Sequence, residues 1–349
     1  MNLELAMLLA QDGLANGAIY VLVALGIVLV FLVTRIIFVP FGDLVAYASL
    51  TLASLQTGRL PGIIWLLLLL SGLSLLAECT PLIRHRRWSR LPGALLTYGL
   101  LPGLPVLATV LLAGRALPDA VTILLSIALI LPIAPLLYRL AFRPIADAPV
   151  LLLLIVAVVL HFAISGVALL IFGPEGARPN LLISRNFEIG GMIFTGQMLL
   201  MLAASATAAA ALAGFFTFTL TGRALRATAV NRTGARLVGI RPGRAGGIAF
   251  LLASALAAIG GILIGPVTTL FYDSGFVIGL KAFVGAIIGG LVSYPGAALG
   301  ALFVGLLESF SAFYDSTMKE VVVFAVLVPV LVLRSLLTPA QVEEEDEEL

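Results

Sequence analysis

Apolar runs of membrane-crossing length recur from one end of this chain to the other, and a soluble fold could not bury so many of them. Candidate spans lie at roughly 14–33, 37–57, 61–79, 91–113, 119–139, 150–172, 195–220, 248–266, 277–292, 296–313 and 320–337. Each approaches the roughly 17–25 residues that a hydrocarbon core about 30 Å thick requires. Of the 349 residues 61% are hydrophobic and only 11% charged, where soluble domains carry about 25% charged residues. Mean hydropathy is +1.17. The expected fold is all-α: a polytopic transmembrane helix bundle of about 9–11 membrane segments, forming one domain over residues 1–338. The second candidate contains Asp43 and Tyr47 and the ninth contains Lys281. Either is a candidate for a partial or re-entrant segment, which is tolerated only where protein surrounds it.

The charges are segregated. Six of the eighteen acids lie in Glu343–Glu348, so residues 339–349 are expected to form a solvated, disordered cytosolic tail. The basic residues cluster at Arg84–Arg90, at Arg139 and Arg143, between Arg223 and Arg241, and at Arg334. With the N-terminus outside and eleven crossings, all four clusters fall on the cytosolic side, as the positive-inside bias requires. The loops around Arg59 and Arg115, and residues 173–194, then face outward. The first 34 residues contain no Lys or Arg, which argues against a signal-peptide n-region and for an uncleaved first span. A single cysteine, Cys79, leaves no intrachain disulfide, and with two histidines it cannot build a zinc site unaided.

Glycine is heavily used, at 35 residues. Gly285, Gly289 and Gly290 share the ninth span, and Gly296 and Gly300 share the tenth. Small residues four apart let helix backbones approach closely in lipid, so these are helix-packing candidates and the C-terminal third reads as a tightly packed bundle.

Chemistry-bearing motifs are scarce. There is no GxxxxGK[ST] phosphate loop, and the two lysines, Lys281 and Lys319, lie in no such context. Neither HExxH nor GxSxG occurs, so no catalytic residue and no metal site are assigned. Residues 221–247 break the apolar pattern with Arg223, Arg226, Arg232, Arg236 and Arg241 and no acid. Leu225, Ala229, Thr233 and Leu237 recur every four residues there, and Gly239 and Pro242 suit the end of such a helix. Two readings stay open: a surface helix on anionic headgroups, at about 1 kcal/mol per charge, or a coupling helix docked on an ATPase.

The stretch Gly222–Gly265 resembles the branched-chain amino-acid ABC transporter permease family (LivH/LivM type). That family reads G-R-x-x-R-A, an Asp or Asn, an Ala, then L-G-I, met here by Gly222, Arg223, Arg226, Ala227, Asn231, Ala235, Val238, Gly239 and Ile240. Gly279–Gly290 is similar to its G-x-K-A-F…G-G, Ser293–Ala297 to its S-x-P-G-A turn, and Gly17–Tyr20 through Ala24–Gly26 to its G-x-x-Y-x-L-x-A-x-G. Glu308 and the Lys319–Glu320 pair also fall where such members place acidic and Lys-acidic residues. The likeness covers roughly 13–55 and 139–337. Two departures stand out. Where members read I-N-F-A-H-G-E, this chain has Ile37–Asp43, with Phe38 and Phe41 at the Asn and His positions. Residues 80–118, with a span of their own, have no counterpart and read as an insertion.

The resemblance implies the transmembrane permease subunit of a bacterial ABC importer in the inner (plasma) membrane. Its substrate would be a small polar solute, branched-chain or other amino acids first, with sugars, urea or amides of the same superfamily as alternatives. It implies partners: a second permease in a homo- or heterodimer, two cytosolic ATP-binding subunits carrying ATP and Mg, an external substrate-binding protein, and lipid, with no nucleic acid. The chain itself would hold no cofactor. Arg223, Arg226, Ala227, Asn231, Ala235, Gly239, Ile240 and Pro242 become the ATPase-coupling candidates. Two other classes remain, an ion-coupled secondary transporter and a non-transporting scaffold. The first needs an intramembrane carboxylate relay, for which only Asp43 and Glu308 are deep enough.

An ionisable group at a helix centre in lipid costs about 2.5–3.5 kcal/mol on insertion scales, so each normally faces the bundle interior or a water cavity. Asp43 is a candidate to line the pathway, to cap a helix start or to lie at the interface. Lys281 and Glu308, on neighbouring glycine-rich spans, are candidates to pair, as a structural ion pair or as part of the pathway. His161 stands alone on its apolar span and reads as a core histidine ahead of a proton relay.

Overall fold

The computed structural model describes residues 3–115, 117–189 and 192–337. The acidic run Glu343–Glu348 lies outside the described residues. Eight helices among the described residues are long and apolar enough to cross a membrane: α1 (Leu3–Thr34), α3 (Ile63–Arg84), α4 (Trp88–Leu112), α5 (Asp119–Ile145), α6 (Val150–Phe172), α7 (Gly196–Phe218), α10 (Pro242–Ile264) and α12 (Tyr294–Tyr314). Between them lie α2 (Phe41–Gln56), α8 (Leu220–Val230), α9 (Arg232–Leu237) and α11 (Ser274–Ile288). The chain continues through α13 (Lys319–Ala325) and α14 (Leu327–Leu337). The fold is an all-α polytopic bundle. One hairpin, β1 (Asn186–Ile189) against β2 (Met192–Thr195), interrupts it in the loop before α7.

Helix starts carry their own caps. Thr195, Thr219, Asn231 and Ser293 each accept a hydrogen bond from the backbone N–H three residues on, at 3.3, 2.9, 2.7 and 3.2 Å. Such caps satisfy donors that a helix cannot pair internally. The two doubtful sequence segments are both short helices buried in protein. α2 has 16 residues and α11 has 15, or about 22–24 Å each at 1.5 Å per residue, less than the hydrocarbon thickness. Nearly all of α2 is buried, which meets the condition for such segments at membrane depth.

The centre is built from α1, α2, α10, α11 and α12. α1 is enclosed from Gly17 through Val30, whereas α4, α6 and α7 bury only a stripe each. Glycines set the central distances. A Cβ at Gly305 would overlap the backbone of Gly13 and Gly17, and one at Gly42 would overlap the carbonyl of Gly275. Gly285, Gly289, Gly296 and Gly300 form one seam between α11 and α12, where each added Cβ would strike facing backbone. Gly290 follows that seam in the chain. It turns the chain after α11 at φ 100°, a conformation only glycine adopts freely.

Basic residues gather at one end of the bundle. Arg139 and Arg143, ending α5, pair with Glu78 near the end of α3. Arg236 and Arg232 pair with Asp147 at 3.2 and 3.7 Å, and Arg232 also donates to the Ala146 carbonyl at 2.9 Å. At the opposite end, Asn180 N–H donates to Gln56 at 2.8 Å, Arg178 to the Pro266 carbonyl at 2.8 Å and Gln11 to the Ile193 carbonyl at 2.8 Å.

Candidate functional site

The break between α1 and α2 opens the interior. The ring of Phe41 occupies the notch at Gly26, so α2 starts about two turns back from the end of α1. Its first turn therefore lies inside the bundle. Asp43, fully buried there, faces the midpoint of α6, where its Oδ2 and His161 Nδ1 share a hydrogen bond of 2.7 Å. The other carboxylate oxygen has no hydrogen-bond partner among the described residues. The His161 ring stacks on Phe276 of α11, centroids 4.5 Å apart. One turn along α2, the Tyr47 hydroxyl donates to the Ile164 carbonyl at 2.6 Å. His161 is thus the buried core histidine expected from the sequence, and its partner is Asp43 on a distant helix. Asp43 caps no helix, since α2 has no side-chain cap.

A second polar cluster lies between α11, α12 and α1. Lys281 Nζ donates to Glu308 Oε1 at 2.6 Å, and the Tyr20 hydroxyl donates to Glu308 Oε2 at 2.5 Å. Lys281 and Glu308 are 5% and 7% exposed, which leaves water little part in holding them. A partly exposed second acid, Glu320 at the start of α13, stands 3.5 Å from Lys281. Both glutamate oxygens are satisfied and the ammonium has two acidic neighbours. A buried charge needs this kind of environment to persist. α11 joins the two clusters, carrying Phe276 against His161, Gly275 against Gly42, and Lys281 against Glu308.

The arginine-rich segment is two short helices, not the single one that the four-residue period suggests. Asn231 ends α8 and caps α9. Its inward face is Gly222, Leu225, Thr228 and Ala235; Leu237 is 84% exposed and Thr233 is exposed too. The predicted stripe holds at Leu225 and the half-buried Ala229 and fails from Thr233 on, because the break at Asn231 rotates α9. Arg223, Arg226, Ala227 and Asn231 are exposed, Ile240 is half-buried, and Pro242 opens α10. Gly239 takes φ 85° with open space around it. Exposed Leu220, Val230, Leu237 and Val238 put large apolar side chains on this otherwise cationic surface. Periodicity could not locate them, because it assumes an unbroken helix.

Among the described residues no group of three or more His, Cys, Asp or Glu side chains is placed to hold a metal ion. Tyr20 and Glu320 as partners of the buried pair escape sequence reasoning. The one available signal was that a charge inside an apolar segment needs a partner.

The chain is similar to LivH, the high-affinity branched-chain amino acid transport system permease protein of Escherichia coli (strain K12). The two are 33% identical over 207 residues, covering 56% of this chain and 66% of that protein. The same figures hold for LivH of Salmonella typhimurium. BraD of Pseudomonas aeruginosa, a permease protein of the same kind of system, is 33% identical over 204 residues, again 56% of this chain and 66% of the relative. The match thus spans 66% of the length of these curated relatives. No solved structure matches the chain. The permease-component family of the branched-chain amino acid transport system matches residues 9–331, and the chain belongs to it.

Proposed function

We propose that this protein is the membrane-spanning permease subunit of an ABC importer, carrying an amino acid of the branched-chain class across the inner membrane. Membership of the permease-component family over residues 9–331 carries this reading. The chain performs no chemistry of its own. ATP with Mg is hydrolysed on two cytosolic subunits, an external binding protein delivers the solute, and a second permease, identical or related, completes the pathway.

The segment 220–241 is the handle for the ATPase. Two properties support this role. It lies outside the membrane-crossing helices, and it combines exposed arginines with exposed Leu220, Val230, Leu237 and Val238. A cationic rim with apolar anchors suits a protein groove better than headgroups alone. Arg232 and Arg236 tie it to the α5–α6 turn through Asp147, so a push on it reaches two spanning helices. The basic end of the bundle is accordingly cytosolic and the N-terminus external.

Co-expression with candidate ATP-binding and second permease subunits, reconstitution in liposomes, and ATP-dependent uptake of labelled leucine test the reading. Uptake should require ATP, the binding protein and this chain together. Uptake driven by a proton or sodium gradient without ATP would overturn it in favour of a secondary transporter.

A further inference from the structure

A cleft of about 1690 Å³ opens at the basic end of the bundle between α4, α5 and the start of α10. It exceeds the roughly 300–1,000 Å³ that houses drug-sized ligands. Its walls are apolar, including Leu101, Leu131, Ile248 and Leu251. Four prolines line it, Pro102 and Pro105 on α4 and Pro132 and Pro135 on α5, and each helix carries a wide π turn nearby, Leu96–Leu100 and Tyr138–Phe142. Proline and π turns are the usual causes of bent helices. The α4 wall runs from Arg90 to Pro105, or about 22 Å at 1.5 Å per residue. That covers one headgroup layer and one leaflet of a hydrocarbon core about 30 Å thick.

The mouth is cationic. Arg90, Arg139, Arg143, Arg236, Arg241 and Arg244 line it with Glu78 as the acid. Glu78 serves Arg139 and Arg143, and Asp147 serves Arg236. Arg90, Arg241 and Arg244 have no acidic partner among the described residues. Unpaired guanidinium groups at headgroup depth, above an apolar slot one leaflet deep, match an anionic phospholipid in both charge and length.

The geometry points to this cleft as a binding site for one anionic phospholipid, its phosphate on Arg90, Arg241 and Arg244 and its acyl chains along α4 and α5. Such a lipid would bridge α4, otherwise thinly packed, to the rest of the bundle. A free phosphate would satisfy only the mouth, and a partner protein would have to enter a slot that reaches membrane depth.

The test is native mass spectrometry of the full chain, delipidated in detergent and titrated with phosphatidylglycerol or phosphatidylcholine of equal chain length. Phosphatidylglycerol should be retained preferentially, and R90A/R244A should weaken it about 30-fold, from the contribution of each basic residue to binding an anionic surface. Inorganic phosphate at millimolar concentration should not displace it. Gly93 lies on the slot wall with no atom within 4 Å of an added Cβ. Gly93→Trp should therefore exclude both lipids, while Gly93→Ala retains them. A photoreactive residue at Gly93, activated in native membranes, should capture lipid. Equal retention of the two lipids by the wild-type chain, full displacement by phosphate, or capture of a protein at Gly93 would each overturn the assignment. The wild-type comparison stands even if a variant fails to fold.

Discussion

Replacing Lys281 by Met leaves Glu308 in a site 7% exposed, with the Tyr20 hydroxyl as its remaining donor. At the observed 2.6 Å, and an effective dielectric near 20, the lost attraction is about 6 kcal/mol before desolvation is counted. Removing one partner of a buried pair costs about 3–5 kcal/mol, because the survivor stays buried and uncompensated. The two single variants should not be equal. Glu308→Gln leaves Lys281 with Glu320 at 3.5 Å, a partly exposed acid that takes over some of the compensation. Lys281→Met leaves a carboxylate with a neutral donor. Lys281→Met therefore belongs at the upper end of that range and Glu308→Gln at the lower end.

The double variant removes both charges, and its glutamine still accepts from Tyr20, so it should cost no more than about 2 kcal/mol. The assay is thermal unfolding of the purified chain in detergent, with fraction soluble after heating as a second readout. The expected order of apparent unfolding temperature is wild type, double variant, Glu308→Gln, Lys281→Met. A double variant that equals the sum of the singles would show that the residues do not interact. Glu308→Gln falling below Lys281→Met would refute the compensating role of Glu320.

Asp43→Asn and His161→Phe should each lower the unfolding temperature by breaking the 2.7 Å pair, and a double-mutant cycle should show coupling between them. Arg226→Glu should uncouple uptake from ATP hydrolysis while membrane insertion survives, because Arg226 is exposed and makes no ion pair among the described residues. Unchanged uptake with normal assembly of the complex would remove the coupling role. Cysteines at Ser89 and Thr233, in a Cys79→Ser background, should resist an impermeant thiol reagent in intact cells, while one at Asn180 reacts. Labelling of Thr233 from outside would reverse the orientation. Gly289→Leu should block the α11–α12 seam, where even a Cβ would overlap Gly296, and abolish a monodisperse elution profile.

Much of the bundle is legible because lipid imposes a length on every crossing helix. Apolar runs therefore mark α1, α3 to α7, α10 and α12, although α1 begins at Leu3, eleven residues before the apolar run that marks it, and α5 and α10 each extend about six residues past theirs at one end. The same rule flags α2 and α11 as irregular, since Asp43 and Lys281 do not belong in a lipid-facing span. Lys281 and Glu308 are readable as a pair because their helices are consecutive and antiparallel. Asp43 and His161 are 118 positions apart. No periodicity reports which face of α6 meets the start of α2, so the pair becomes visible only when the helices are packed. The hairpin before α7 and the break at Asn231 escape for a related reason. Both are local choices of backbone hydrogen bonding, which hydrophobic pattern does not encode.

The placement of the polar groups also constrains how the bundle can move. α11 is fixed on three sides: to α2 at Gly42 and Gly275, to α6 through Phe276 and His161, and to α12 along the glycine seam and the Lys281–Glu308 pair. Sliding it alone would expose a buried charge and bring backbone into collision at the seam, and either penalty is several kcal/mol. A change of state in such a bundle is therefore cheapest if α1, α2, α11 and α12 travel together and the displacement is taken up at their edges. The edges are built for it. α4 and α7 bury only a stripe of side chains, and α9 is held to the α5–α6 turn by exposed or half-exposed ion pairs with Asp147. Exposed pairs of that kind are worth only about 0–1 kcal/mol each. A force applied to the arginine-rich segment is then taken up at the edges, through α7, on whose last turn Gly222 packs, and through the α5–α6 turn, before it disturbs the buried ties of the core.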